Sequence, residues 1–131
     1  MKTLTVSLIS FFILLMSCTS NTRGKKYGSL YVDNVYYDIG KVNKTKQDTV
    51  NFQFDIYNHS DKNVEIVKLE PSCECVVIDR VSQCDIPQHE MISVFGYVKV
   101  KEIEGKVSKT IFVTTNENTI LLLKVIGIVE S

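Results

Sequence analysis

The chain has 131 residues, and its 15 Lys and Arg residues balance 15 Asp and Glu residues, so the formal net charge is zero. A neutral chain offers no basic face to a phosphate backbone, which argues against nucleic-acid binding. About a hundred residues follow an apolar and a polar N-terminal segment, and a chain of that size forms one domain that can bury its own core.

Residues 1–17 are typical of a secretory signal peptide. Lys2 supplies the positive charge and Val6–Met16 the apolar run, which is shorter than the roughly 20 residues that span a bilayer. The segment ends in Leu15-Met16-Ser17-Cys18, which resembles the lipobox of bacterial lipoproteins. That resemblance implies cleavage before Cys18, followed by lipidation of its sulfur and acylation of its new amino terminus. Loss of Lys2 would leave the mature chain with one more acidic than basic residue.

The next ten residues, 19–28, are polar and show no apolar periodicity, which predicts a flexible linker. The expected organisation is a signal peptide at 1–17, a lipidated cysteine and linker at 18–28, and a folded domain at 29–131. Two or more acyl chains attach a protein stably, so we expect the chain to be tethered to the membrane. Thr19 is not the aspartate associated with inner-membrane retention in better-known bacteria, and residues 20–26 lack an acidic export run. This favours the outer membrane, with the domain facing the periplasm.

The folded part reads as a series of strands without a convincing helix. Strict alternation of apolar and polar residues from Val50 to Tyr57 predicts a half-buried strand, and a change of apolar phase between Ile66 and Val67 predicts a bulge. Residues 120–129 are apolar on both faces, as in a central strand. The remaining strands are predicted at 30–39, 64–69, 73–78, 92–100 and 107–115, with a polar connection at 40–47. About seven short strands with regular turns favour an all-β, immunoglobulin-like antiparallel β-sandwich.

Three cysteines, Cys73, Cys75 and Cys84, remain for the folded domain. If Cys73 and Cys75 lie in an extended strand, their thiols share one face, but their alpha carbons stand about 6.5–7 Å apart, at the upper limit of disulfide geometry. Cys84 is then the more natural partner, because the polar run 79–83 could turn the chain back toward either cysteine. A Cys75–Cys84 or Cys73–Cys84 disulfide, or simply buried thiols, is the structural interpretation.

The functional interpretation of the same cysteines is a site for metal or redox chemistry. Convergent thiolates suit Cu(I) or zinc, with His59 or His89 completing the set, but the histidines have no ligand spacing to the cysteines. Thiol exchange is disfavoured because no helix start is predicted that would lower a thiol pKa. We therefore expect no metal and no cofactor, and keep Cys73, Cys75 and Cys84 as the alternative site.

Catalytic patterns are weak throughout the sequence. His89-Glu90 begins like a zinc-protease motif, but Ser93 stands where the second histidine is needed. No glycine-rich phosphate loop occurs among the six glycines. The sequence therefore predicts a protein that is not an enzyme.

Several segments occur in an order that resembles a known family. They are Tyr37-Asp38-Ile39-Gly40-Lys41-Val42, Phe52-x-Phe54-x-x-x-Asn58, Ser72-Cys73-Glu74-Cys75, Gly105, Thr115-Asn116 and Val125-Ile126-Gly127. They are similar to the domain of unknown function 1573 family of Bacteroidetes lipoproteins and secreted proteins. That family is similar to Hydin-type immunoglobulin-like domains, which implies a seven-stranded sandwich with a protein-binding character. Glu74 replaces the usual Gly, Gln88 replaces the Gly after the usual Pro, and Cys84 is additional.

One modification motif accompanies this resemblance. Asp48-Thr49-Val50 resembles the O-glycosylation site of Bacteroidetes envelope proteins, which makes Thr49 a candidate glycan acceptor. Taken together, the sequence predicts a lipid-anchored envelope module that binds or scaffolds a protein partner. The alternative is a thiol-based metal or redox accessory protein.

Overall fold

The computed structural model describes residues 24–131, and about two-thirds of that range lies in strands. Within this range no helix has the length and apolar character needed to cross a membrane. The strands are β1 (Lys25–Tyr27), β2 (Leu30–Val32), β3 (Tyr36–Asn43), β4 (Thr49–Asn58), β5 (Val64–Pro71), β6 (Val76–Val81), β7 (Asp85–Ile86), β8 (Met91–Lys99), β9 (Gly105–Thr115) and β10 (Ile120–Glu130). One short 3₁₀ turn, Val100–Glu102, connects β8 and β9.

The strands form two five-stranded sheets. The first sheet has the order β1-β2-β4-β8-β6 and the second the order β3-β10-β9-β5-β7. All neighbours are antiparallel except β3 and β10, which run parallel. The inner faces of the sheets supply the core, which is built mainly from Val, Ile, Leu and Phe. The predicted all-β sandwich is confirmed, with parallel pairing at one edge that the sequence analysis did not anticipate.

The alternation of apolar and polar residues in β4 matches the alternation of buried and exposed side chains. Phe52, Phe54 and Ile56 point inward and are almost fully buried, and the intervening side chains point outward. The rings of Phe52 and Phe54 pack at 5.7 Å, and Tyr37 of the second sheet contacts both rings at 6.4 and 6.2 Å. Aromatic side chains therefore join the two sheets near the centre of the core.

Two finer predictions about strands are also confirmed. The pairing of β5 with β9 shifts between Ile66 and Lys68, at the position where the apolar phase changes. The apolar segment at the C-terminus forms β10, which lies between β3 and β9 within its sheet. A change in side-chain alternation predicted the bulge, and the apolar character of both faces predicted the central strand.

The structure differs from the sequence prediction at the N-terminal boundary and after residue 39. Lys25–Tyr27, placed in the linker by the sequence, forms β1 and pairs with β2, so the folded domain begins before residue 29. The expected polar connection at 40–47 is strand up to Asn43, because β3 continues along β10 as far as the Glu130–Asn43 pair. Backbone pairing with β10 keeps these polar residues extended.

A charge cluster ties three turns together at one end of the sandwich. Glu117, in the β9–β10 turn, accepts a hydrogen bond from the Ser29 hydroxyl at 3.0 Å and forms an ion pair with Lys62 at 3.1 Å. The hydrogen bond from Lys62 lowers the pKa of Glu117; burial opposes this shift, and the Ser29 hydrogen bond adds to it. The charged form of this carboxylate is thus favoured in the folded state.

We therefore expect Glu117→Gln to change the pH dependence of stability. A lowered folded-state pKa adds stability above the ordinary glutamate pKa of about 4.3, and that stability is lost as pH falls through the lowered value. The gap in unfolding free energy between the wild type and Glu117→Gln should narrow as pH falls from neutral to below 4.3. Urea unfolding at several pH values measures it, with Glu90→Gln at an exposed position as the control. A gap that stays constant over this range would contradict the prediction.

Candidate functional site

Cys73 and Cys75 form a disulfide with each other, which corrects the sequence prediction. The reason is local conformation: residues 72–75 form a bend and turn, and β6 begins only at Val76. The Val76 amide donates to the Cys73 carbonyl at 3.1 Å, so the chain is folded here and the alpha carbons lie 5.2 Å apart. This separation lies inside the normal disulfide range, unlike that of an extended strand.

The turn lies where the chain crosses from the second sheet to the first. The Ser72 amide donates to the Thr110 carbonyl at 2.8 Å, and the Lys99 amide donates to the Cys75 carbonyl at 2.7 Å. Cys75 is buried against the core, whereas Cys73 is partly exposed. The disulfide closes a very short loop, for which the chain-entropy model gives only about 1.6 kcal/mol of stabilisation.

Cys84 is a free, exposed cysteine that lies far from this disulfide. Asp79, Arg80 and Val81 belong to β6, so the polar run expected to turn back continues as strand. Six residues of strand span about 20 Å, and they place Cys84 beyond the opposite end of β6. The predicted Cys73–Cys84 and Cys75–Cys84 pairings are therefore wrong.

The same geometry separates the residues of the alternative metal site. Cys73 and Cys75 are bonded to each other, Cys84 is remote, and residues 24–131 contain no group of three His, Cys, Asp or Glu side chains placed to hold a metal ion. His59 stacks on Tyr57 at 6.1 Å, and His89 lies 2.9 Å from Asp61. Neither histidine is paired with a cysteine.

The remaining predicted site residues are Cys18 and Thr49. Cys18 lies outside the described residues. Thr49 is the first residue of β4 and is exposed, opposite Lys99 of β8. Its hydroxyl position is compatible with a surface modification, and glycosylation there stays a prediction.

Asn58, the last residue of the Phe52-x-Phe54-x-x-x-Asn58 motif, is buried and forms hydrogen bonds with neighbouring turns. Its side-chain amide donates to the carbonyls of Lys62 at 2.7 Å and Ile86 at 2.9 Å. Its side-chain oxygen accepts from the amide of Ser60 at 2.9 Å and the hydroxyl of Ser60 at 2.7 Å. This motif residue therefore holds the β4–β5 turn against β7.

Two other motif segments, 37–42 and 125–127, meet where β3 pairs with β10. Ile126 pairs with Asp38 and Ile128 pairs with Lys41, so β3 has one more residue than β10 between these pairs, which makes a bulge. Asp38 accepts a hydrogen bond from the Gly40 amide at 2.8 Å, and Gly40 has φ +71°, a conformation that favours glycine. A side chain at Gly127 would collide with Ile39 and lie 2.8 Å from the Gly40 carbonyl.

The bulge opens a depression of about 810 Å³ on the outer face of the second sheet. We call it the bulge depression; its lining residues are Asp38, Gly40, Lys41, Lys106, Val107, Ser108, Ile126, Gly127 and Ile128. Gly40 is exposed, and Gly127 is half-buried between apolar Ile126 and Ile128. The two lysines outnumber the one aspartate, which gives the rim a net positive charge. The chemistry suits an apolar ligand with an acidic group.

The bulge depression adjoins an open sheet edge. β3 is the outermost strand of its sheet, and among the described strands only β10 pairs with it. An outermost strand presents backbone amides and carbonyls that can pair with another chain. Sequence reasoning singled out both motif segments but did not place them together, because they are more than eighty residues apart.

The sequence matches the family model described as protein of unknown function (DUF1573) over residues 30–129. The chain belongs to this family. The match covers nearly all of the two sheets, including the Cys73–Cys75 turn and both strands of the bulge depression. No curated protein matches the sequence.

Solved structures show the same fold at low sequence identity. A protein of unknown function from Porphyromonas gingivalis aligns with a TM-score of 0.65 and 12% identity, over 76% of this chain and 46% of that chain. The secreted serine protease VesC of Vibrio cholerae aligns with a TM-score of 0.54 and 10% identity, over 70% and 21% of the two chains. The VesB protease of the same species gives 0.56 and 9%, over 79% and 32%. The present chain thus spans less than half of each of these proteins.

Proposed function

We propose that this protein is a lipid-anchored module of the cell envelope that binds a protein partner and catalyses no reaction. The observation that carries the proposal is the bulge depression beside the open edge of β3. An extended segment of a partner can add to an edge strand by backbone hydrogen bonds, and a neighbouring pocket then selects its side chains. This sandwich offers both features in one place.

The charges of the bulge depression indicate the kind of segment that fits. Lys41 comes from β3 and Lys106 from β9, and Ile126 and Ile128 lie between them on β10. An extended segment that carries an acidic residue next to an apolar one would pair its charge with the lysines and cover the isoleucines. Such charge complementarity chiefly sets specificity and the rate of association.

Anchoring at Cys18 is the second part of the proposal. The lipobox-like segment 15–18 supports it, and the absence of a retention aspartate at residue 19 supports the outer membrane, facing the periplasm. A tethered partner-binding domain meets its partner at a high effective concentration, because both are confined to the envelope. Weak contacts at an edge strand then suffice for assembly.

Crosslinking in intact cells tests the binding site. A photoreactive residue at position 108, inside the bulge depression, should give a discrete adduct with an envelope protein. Lys106→Glu should reduce the yield of this adduct at least fivefold, because it reverses the charge that faces an acidic segment. Lys99→Glu, the same charge reversal at another exposed position, on the first sheet, is the matched control and should leave the yield unchanged. No adduct, or equal effects of both variants, would refute the assignment.

Cys18→Ser tests the anchor separately. The expected result is accumulation of unprocessed precursor and loss of the lipid mass from the N-terminal peptide. If the variant is still processed and still carries lipid, the proposed anchoring at Cys18 is wrong. The interpretation of the crosslinking experiment does not depend on this outcome.

A further inference from the structure

Exposed apolar side chains gather at the other end of the sheet that carries the bulge depression. Leu122 of β10 stands opposite Phe112 of β9, and Ile120 precedes Leu122 on the same outward face. Tyr36 of β3 pairs with Lys124, the next outward residue of β10. Leu122 is 38% exposed and Ile120 is 54% exposed, although both lie in a central strand. We call the set Tyr27, Tyr36, Phe112, Ile120 and Leu122 the exit patch.

The N-terminal end of the folded domain lies at the exit patch. Gly24, the first described residue, lines a shallow hollow together with Tyr27, Tyr36 and Leu122. The Tyr27 hydroxyl donates to the Leu122 carbonyl at 3.3 Å, which ties β1 to this face of the second sheet. The first described residue therefore lies directly beside the exposed apolar side chains.

The distance to the proposed anchor is short. Gly24 is six positions beyond Cys18, with five residues between them. Even fully extended, this segment reaches at most about 20 Å. A domain held by lipid at Cys18 must therefore keep the exit patch within about that distance of the bilayer.

The side chains around the exit patch suit a membrane surface. Lys25 and Lys124 line the same hollow, and Lys26 is exposed on β1. Tyrosines favour the interfacial region of a bilayer, and lysines near it are attracted to anionic lipids. Lys25 also lies over the Tyr27 ring at 5.1 Å. Glu70 of β5 stands opposite Phe112, on the side of the exit patch away from β3. It forms an ion pair with Lys68 at 3.1 Å.

We infer that the exit patch is a docking surface for the lipid bilayer in which Cys18 is anchored, with apolar side chains entering the interface and lysines contacting anionic headgroups. The inference rests on the proposed lipidation of Cys18. The bulge depression begins at Ile126, four residues beyond Leu122 along β10 and about 14 Å away.

The absence of tryptophan from the sequence permits a direct test. Leu122→Trp places a single fluorophore in the exit patch, and Met91→Trp places one on the outer face of the first sheet, where Met91 is 45% exposed. Each lipidated mature protein, which begins at Cys18, is incorporated into vesicles of phosphatidylethanolamine and phosphatidylglycerol containing brominated acyl chains, which quench tryptophan near the membrane.

The expected result is at least twofold quenching of Leu122→Trp and less than one-fifth of that effect for Met91→Trp. Adding Lys25→Glu and Lys124→Glu to the Leu122→Trp protein should restore at least half of its fluorescence. Equal quenching at both positions, or none at Leu122→Trp in vesicle-bound protein, would overturn the inference. Mass analysis of the N-terminal peptide separates the cases: lipid at Cys18 without quenching refutes docking alone, whereas missing lipid refutes the anchor.

Discussion

Replacing Asn58 by alanine is expected to lower the free energy of unfolding by about 2–3 kcal/mol. Asn58 is 1% exposed, and its amide group supplies two donors and one acceptor to surrounding groups. Alanine removes all of these hydrogen bonds and leaves the Ile86 carbonyl without its buried donor. An unsatisfied buried carbonyl carries its full desolvation cost, which exceeds the net value of an ordinary hydrogen bond.

The substitution Asn58→Asp sharpens this prediction. The carboxylate still accepts from Ser60, but it faces the Lys62 and Ile86 carbonyls with no proton to donate, so we expect it to destabilise the fold at least as much as alanine. Asn51→Ala, at an exposed outward position on the same strand, is the control and should change stability by less than about 0.5 kcal/mol. Urea unfolding followed by circular dichroism measures all three. An Asn58→Ala protein as stable as Asn51→Ala would show that the turn does not depend on this side chain.

Alternation of side chains allowed much of the fold to be predicted from the sequence. In β4 the apolar residues recur at the period of a strand, so burial of one face fixes their orientation, whereas β10 is apolar on both faces, as in a central strand. The bulge near Ile66 was also encoded as a change of phase. These features are local, so they can be read from a few neighbouring residues.

The cysteines show where this reasoning fails. The disulfide expectation assumed that residues 73–75 are extended, whereas the crossing from β5 to β6 requires a turn there. The turn shortens the Cα separation and makes a bond between Cys73 and Cys75 feasible. The conformation of this crossing segment depends on hydrogen bonds with Thr110 and Lys99, which are distant from it in sequence.

The candidate site is non-local for the same reason. The bulge in β3 becomes a depression only because β10 lies beside it in parallel, and Gly127 then faces Ile39 and Gly40. The family resemblance identified both segments without indicating that they touch. Lys106 comes from a third strand, β9, of which the motifs include only Gly105 and Thr115, and only the sheet order places Lys106 on the rim. Its role could not be predicted from the sequence.

Gly96, like Gly127, lies where a side chain would not fit. Gly96→Ala is therefore expected to lower the free energy of unfolding by about 2 kcal/mol. Gly96 lies in β8 between Phe52 of β4 and Ile78 of β6. An added methyl group would collide with the Val77 carbonyl and approach the Phe52 ring to 2.5 Å. The ring could rotate away, but the carbonyl belongs to the backbone of the neighbouring strand, so β6 must shift.

A second variant separates these two collisions. Phe52→Leu in the Gly96→Ala background relieves the ring contact and leaves the carbonyl contact, so the combined loss should be smaller than the sum of the separate losses. Unfolding of the four proteins in urea gives the coupling energy directly. Strict additivity would mean that the Phe52 ring does not meet the new methyl group. Wild-type stability of Gly96→Ala would mean that β6 is free to move away from β8, and the edge of the first sheet would then be loosely held.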